Sequence, residues 1–263
     1  LVYADLFDSP IKIGQKYYCL PGRKKLIKLR KMREEYSRVK EIIAGEKTNI
    51  LKKIPSVEAI FLTGSVAVGN AKKDADIDLM VVTSTNTLWI TRFLVFISLK
   101  SLRSLRSPKK YKDRICPNIF VDLNHLRVSD ENIYTAHEVL QAKQLFDRGG
   151  VEHQWLKANS WVKKYLPGGY KHKINKTKGQ YPISQFPISN SQIGHWVIGA
   201  HWGIGDWIIG LIELCAFLVQ YFYMKPRMTN ENVGWGYAFF HPNDLSKTIP
   251  EKFRQRLLKY TDK

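Results

Sequence analysis

Apolar residues recur along this chain with different periods, and the changes of period mark its elements. From Gly22 to about Gly45 the residues Leu29, Met32, Tyr36, Val39 and Ile43 fall at steps of three and four in a strongly basic background, which predicts a helix over 23–45. Val57 to Thr63 is mostly apolar and partly β-branched and reads as a short buried strand. Gly64-Ser65 breaks that run, and Val66-Ala67-Val68, which lacks a period of two, opens a helix. A second apolar run, over 77–82, is entered through alternating acids, Asp76-Ile77-Asp78-Leu79. Leu88 to Leu105 is a helical pattern, apolar and then basic, with Pro108 as its stop. In Arg114 to Leu123 alternation places Cys116, Asn118, Phe120 and Asp122 on one face of a third strand. Ser129-Asp-Glu-Asn caps a helix running to about Phe146, with Gly149-Gly150 as terminator. Val151, Trp155, Ala158, Val162 and Tyr165 mark another helix, with Pro167 beyond it. Strands near 57–63, 77–82 and 115–122 should form one mixed sheet with helices 23–45 and 88–105 packed on it. The expected fold class is therefore α+β, a small mixed sheet followed by a helical C-terminal region.

The remaining stretches are less regular. Residues 1–21, with Tyr3 to Pro10 and Tyr17 to Pro21, look like the start and end of a small module with its middle missing. From Pro167 to about Gly203 a Pro-Ile-Ser unit and a Gly/Trp/Ile theme repeat over a few residues, too short for a solenoid, and a poorly ordered low-complexity insertion is expected. Ile204 to Met224 has the length of a membrane span, but Asp206, Glu213 and two glycines favour a long buried helix. A basic helix is expected from Pro250 to Tyr260. The organisation read from these shifts is an N-terminal arm with the basic helix over 1–50, a core domain over 51–128, a helical extension over 129–166, the insertion over 167–203 and a C-terminal helical region over 204–263.

Charge and cysteine usage narrow the classes of partner. Lys and Arg total 42 against 23 Asp and Glu, a formal net charge of +19, which favours an anionic partner: a nucleotide, a nucleic acid or a membrane surface. For the basic residues of 23–45 a solvated helix face is the favoured reading over a nucleic-acid track. Cys19, Cys116 and Cys215 are odd in number, far apart and without metal-ligand spacing, which argues against a disulfide scaffold or zinc site and for a cytoplasmic location. No signal-peptide pattern stands at the N-terminus, and a chain that opens on Leu1 reads as a fragment or partial gene product.

The candidate chemistry lies in Phe61-Leu-Thr-Gly-Ser-Val-Ala-Val-Gly-Asn70 and Asp74-Ala-Asp-Ile-Asp78. Gly64-Ser65 at a strand-to-helix turn offers free N–H groups and a hydroxyl to a phosphate. Asp76 and Asp78 share one side of their strand. Hard cations such as magnesium take carboxylates plus substrate phosphates, and two such ions about 3.5–4 Å apart can activate an attacking oxygen while steadying the leaving one. Read alone, Gly-Ser is a common turn and Asp-x-Asp a common surface pattern. In order and bracketed by two strands, the string resembles the signature of the DNA polymerase beta-like nucleotidyltransferase superfamily.

That resemblance implies that Gly64 and Ser65 hold a nucleoside triphosphate, ATP by expectation, and that Asp76 and Asp78 ligate two magnesium ions. It also implies a third carboxylate on a later strand, for which Asp122 is the candidate, as base or second-metal ligand. Asp122 also reads as a strand-end residue entering the turn at Asn124-His125. If it points away, Asn118 is the only polar replacement, and an amide oxygen is the weaker ligand. Residues 1–21 resemble the flanks of a winged helix found in some such proteins, though a plain hairpin fits as well, and 134–149 resemble the helical segment that follows the catalytic domain. The tRNA CCA-adding branch normally has a Gly-Gly before the acidic pair and an Arg-Asp after it, and neither is present. The expected activity is magnesium-dependent transfer of a nucleoside monophosphate from an NTP to an unidentified hydroxyl on a small molecule, protein or nucleic acid. The alternative is a protein that keeps the fold without turnover and binds nucleic acid through its basic surface.

Overall fold

A six-stranded mixed sheet separates two hydrophobic cores. The computed structural model describes residues 11–13, 17–19, 22–178, 204–228, 231–240 and 245–261. Strands β1 (Ile11–Ile13) and β2 (Tyr17–Cys19) pair antiparallel ahead of α1 (Lys25–Leu51), the arrangement of a hairpin. The elements β3 (Val57–Leu62), α2 (Gly64–Ala67), β4 (Ile77–Thr83), α3 (Leu88–Ser101) and β5 (Ile115–Asp122) follow. Beyond them come α4 (Ile133–Gln141), β6 (Lys143–Asp147), α5 (Val151–Ala158), α6 (Pro167–Lys178), α7 (Ile204–Met224), β7 (Asn232–Val233), β8 (Tyr237–Phe239) and α8 (Leu245–Thr261). The sheet order is β6-β3-β4-β5-β8-β7, with only β4 and β5 parallel.

The three strands expected from the apolar runs form the middle of the sheet. Alternation along β4 sends Ile77, Leu79 and Val81 into a core with α1 and α3, and Met80 and Val82 into one with α4 and α5. Burial on both faces explains why β3 and β4 read as near-continuous apolar runs.

Several boundaries differ from expectation. Helix α1 passes through Gly45 to Leu51, because its buried residues Lys40, Ala44, Thr48 and Leu51 continue one stripe at steps of three and four. The helix expected to run to Phe146 stops at Gln141, where Ala142 turns to an extended ψ of 121°, and the chain enters β6 along β3. Residues 167–178, expected to begin a poorly ordered insertion, are α6. Tyr170 there is buried and donates its hydroxyl to Leu156 O at 3.0 Å, while Thr177 and His153 make a buried 2.9 Å hydrogen bond. The rest of that expected insertion, 179–203, lies outside the described residues.

The expectation of a buried helix at 204–224 is overturned. One side of α7 packs on α3, but Trp207, Ile208, Leu211, Val219, Phe222 and Tyr223 are each more than half exposed. Trp207–Met224 is long and apolar enough to cross a bilayer by length and composition. Its one fully buried acid does a different job. Helix α3 has no capping side chain of its own at Thr87, and Glu213 of α7 supplies the missing acceptor to the backbone N–H of Trp89 (2.6 Å) and of Ile90 (2.9 Å). Gln220, two turns on, donates to Trp89 O at 2.8 Å. We therefore expect Glu213→Ala to strand one buried and one part-buried donor and lower stability by about 1–3 kcal/mol, with Glu213→Gln costing less. Thermal unfolding that leaves the midpoint of Glu213→Ala unchanged would show that α7 does not hold α3.

Candidate active site

The site begins where β3 ends. Thr63 is extended and Gly64 takes a left-handed φ of +61°, turning the chain into the single turn of α2. A Cβ at Gly64 would lie 2.5 Å from Asp78 Oδ2, so glycine is required both for the turn and for the close approach of the carboxylate. Ser65 is exposed beside it. The structure thus seats Gly64 against Asp78, with Ser65 next in the turn.

Helix α1 secures the loop between these residues and the acidic pair. Arg30 donates to Val68 O (2.9 Å), Arg33 to Asn70 Oδ1 (3.1 Å), and Ser37 Oγ accepts from the N–H of Ala71 (2.9 Å). Lys40, fully buried, donates to Lys73 O (3.2 Å) and Ala75 O (2.8 Å) and pairs with Asp113 on the loop entering β5. A buried ammonium has three donors to satisfy, and this one finds three acceptors on the two loops that frame Asp76.

Asp76 and Asp78 lie side by side at the start of β4, with Cys116 of β5 within 4.8 Å of both by ligand atoms. Arg106 pairs with Asp76 at 2.8 Å, and Asn118 Nδ2 donates to Asp78 Oδ1 at 2.8 Å. Burial, and then the neighbouring charge of Asp76, push the Asp78 carboxyl up to about 7, with Arg106 pulling the other way. Glu138 of α4, itself raised by burial, adds to the push on Asp78 across the cleft. The Cys116 thiol is pushed up to about 12, chiefly by burial and then by Asp78. It stays protonated at neutral pH. The hard donors that meet there are therefore the two carboxylates; Asn118 turns its amide N–H to Asp78, and its Oδ1 is buried without a hydrogen-bond partner. This donor set fits a hard divalent cation.

Asp122 does not join them. In β5 Cys116 stands opposite Asp78 and Asp122 opposite Thr83, so Asp122 is near the far end of the strand, roughly 20 Å away at about 3.3 Å per residue. A bulge at Asn118 also breaks the alternation assumed for this strand: Leu79 pairs with Pro117 and Met80 with Ile119. Asn118 remains beside Asp78, while Phe120 falls into the α1/α3 core and Val121 into the α4/α5 core. Buried Asp122 accepts instead from the N–H of Asn124 (2.9 Å) and contacts His125 Nδ1 (2.7 Å), the turn-forming role that its sequence also allowed. Glu138 was not expected at the site, and for Cys116 the only signal was the alternation that put it on the face of Asn118.

Gly64→Ala should displace the Asp78 carboxylate and weaken nucleotide binding roughly tenfold or more, while the far-end variant Asp122→Asn should leave binding unchanged and lower stability. Titration and thermal unfolding of both variants read this out, and equal nucleotide affinity in Gly64→Ala and the parent would contradict it.

Residues 46–149 match the family model described as polymerase beta, nucleotidyltransferase. No curated protein matches the chain. A solved structure described as a toxin-antitoxin with AMP-PNP is similar at 21% identity, covering 50% of this chain and 96% of its own, with a TM-score of 0.31. The matched stretch runs from the end of α1 to just beyond β6 and holds Gly64, Ser65, Asp76 and Asp78.

Proposed function

We propose that this protein is a magnesium-dependent nucleotidyltransferase that transfers a nucleoside monophosphate from an NTP, by expectation ATP, to a hydroxyl acceptor and releases pyrophosphate. The observation that carries the reading is the Asp76/Asp78 pair with Gly64 seated directly against Asp78, inside the matched domain. Magnesium would be held by Asp76 and Asp78 and would neutralise phosphate charge there. The protein's own part is positioning: α1 fixes the loop, Gly64 admits the phosphates to the carboxylates, and the exposed Ser65 hydroxyl donates to them. Glu138 is a further acid whose charge acts on Asp78.

Isothermal titration with ATP tests this directly. Binding should require magnesium and be lost in the double variant Asp76→Asn/Asp78→Asn. Binding absent with and without magnesium, or untouched by the double variant, would end the proposal. The pH dependence has a definite sign. The raised carboxyl of Asp78 binds its proton more tightly in the folded state, so a metal-free stability contribution present at low pH is lost as pH rises through about 7. An ion must displace that proton, so magnesium-supported ATP binding should strengthen from pH 6 to pH 8 and level off above it.

The second reading, a nucleic-acid binder without turnover, draws on the net charge of +19. Against it, Arg30, Arg33 and Lys40 on the basic helix are engaged in holding the site's own loop. A polynucleotide binder should weaken steeply as salt rises, because phosphate contacts release counterions. A salt series of gel shifts on mixed RNA, beside an assay of label transfer from each NTP, separates the two. Transfer with a shallow salt slope supports the transferase, and a steep slope without transfer supports the binder.

A further inference from the structure

On the other side of the acidic pair from Gly64, the edge of β5 is open. Ile115 bridges to the stretch around Leu105 and β8 begins to pair only at Ile119, so on the edge away from β4 Cys116 and Pro117 have no strand beside them and Asn118 meets only the N–H of Phe240. A pocket of about 410 Å³ fills this gap, a volume suited to one small molecule. Its inner wall is made of Cys116, Asn118 and Arg106, the residues that touch Asp78 and Asp76. Its outer wall is apolar and aromatic: Phe96, Phe240 and Met228.

Buried Arg92 of α3 also lines the pocket. Its guanidinium lies 4.4 Å from the centroid of Phe96 and 4.5 Å from that of Phe240, Nη1 donates to Gln220 Oε1 at 2.5 Å, and Nε has no partner. Among the described residues no carboxylate pairs with it, and Glu231, which lines the same pocket, is not among its partners. A buried cation costs several kcal/mol unless an anion and hydrogen bonds compensate it. Rings and one amide compensate this one only in part.

We propose that this pocket is the acceptor subsite, and that it takes a small hydroxyl compound with an aromatic or apolar body and one anionic group, which Arg92 binds. The proposal rests on the transferase reading of the adjoining site. Gly64 and Ser65 receive the triphosphate on one side of Asp76 and Asp78, and the acceptor enters from the other. Its hydroxyl oxygen attacks the α-phosphorus with a lone pair. A new P–O bond forms as the bond from that phosphorus to the bridging oxygen breaks, the electron pair leaves on pyrophosphate, and the hydroxyl proton passes through the carboxylate pair to solvent.

The test is isothermal titration of the full chain with magnesium and a saturating non-hydrolysable ATP analogue present. The probes are 4-hydroxyphenylacetate for a carboxylate and 4-hydroxybenzylphosphonate for a phosphate-like group. One of them should bind one-to-one, and the preferred probe identifies the anion. Arg92→Met should weaken it roughly tenfold or more, and Arg92→Lys should weaken it less. Because Arg92 also joins α3 to α7, Met228→Trp provides a second variant that fills the pocket and leaves the guanidinium alone. It should abolish probe binding while the analogue binds as before. Normal analogue binding with neither probe bound, or probe binding indifferent to both Arg92→Met and Met228→Trp, overturns the acceptor subsite and leaves the transferase reading standing. Failure of the analogue itself to bind removes that reading, and the acceptor role falls with it.

Discussion

Two like charges held side by side at the start of one strand are the constraint on which the rest of this structure turns. Asp76 and Asp78 repel each other, and burial raises the cost of charging Asp78 further. Elements from across the domain converge to make the pair tolerable. Arg106 pairs with Asp76, Asn118 donates to Asp78, and Lys40 anchors the carbonyls just ahead of them. Each of these contacts is long in sequence, so the pair cannot form until α1, β4 and β5 have assembled. A site that is costly when empty is one whose cost a cation would remove, which links the strain at Asp78 to the metal chemistry proposed for it.

The second long-range dependence runs through α3. Its N-terminus is capped by an acid from α7, more than a hundred residues downstream, and Arg92 on its inner face meets Gln220 of the same helix. The outer part of the chain is therefore built into the frame of the domain. Glu213 counts against a membrane span when read as a charge in an apolar run, but in the fold it is an acceptor consumed by two backbone donors. The broad apolar surface left on α7 is consequently independent of that acid, and nothing within the described residues covers it.

The sheet, its three central strands and the Gly64/Ser65/Asp76/Asp78 group were legible because each is local. A glycine forced to positive φ, a run buried on both faces and a pair of acids two residues apart leave marks within ten residues of themselves. What was not legible depends on register. One extra residue at Asn118 reverses the parity of everything after it, so the alternation that put Asp122 beside Cys116 and Asn118 fails at Phe120. Arg106 lies in a loop and Glu138 on a helix, and neither position carries a local pattern that points to the acidic pair. Strand β6 was hidden for a related reason: it follows a helix after a single residue, and its half-buried pattern KQLFD was absorbed into the preceding helical period.

The same bulge ties the unexpected composition of the site to the open edge of β5. A strand that continued in regular register from Ile115 would place its side chains opposite β4 without interruption and offer β8 a longer partner. Inserting Asn118 instead brings an amide to Asp78, leaves its carbonyl to accept the N–H of Phe240 at 2.8 Å, and coincides with the point where pairing to β8 begins. Pro117 in the gap has no N–H to offer another strand. The irregularity that brings Asn118 to Asp78 thus marks the end of the open stretch of β5 edge beside the acidic pair. Asp122 is kept from the pair by its distance along the strand, whereas the amide at Asp78 and the end of the open edge beside it are two consequences of one added residue.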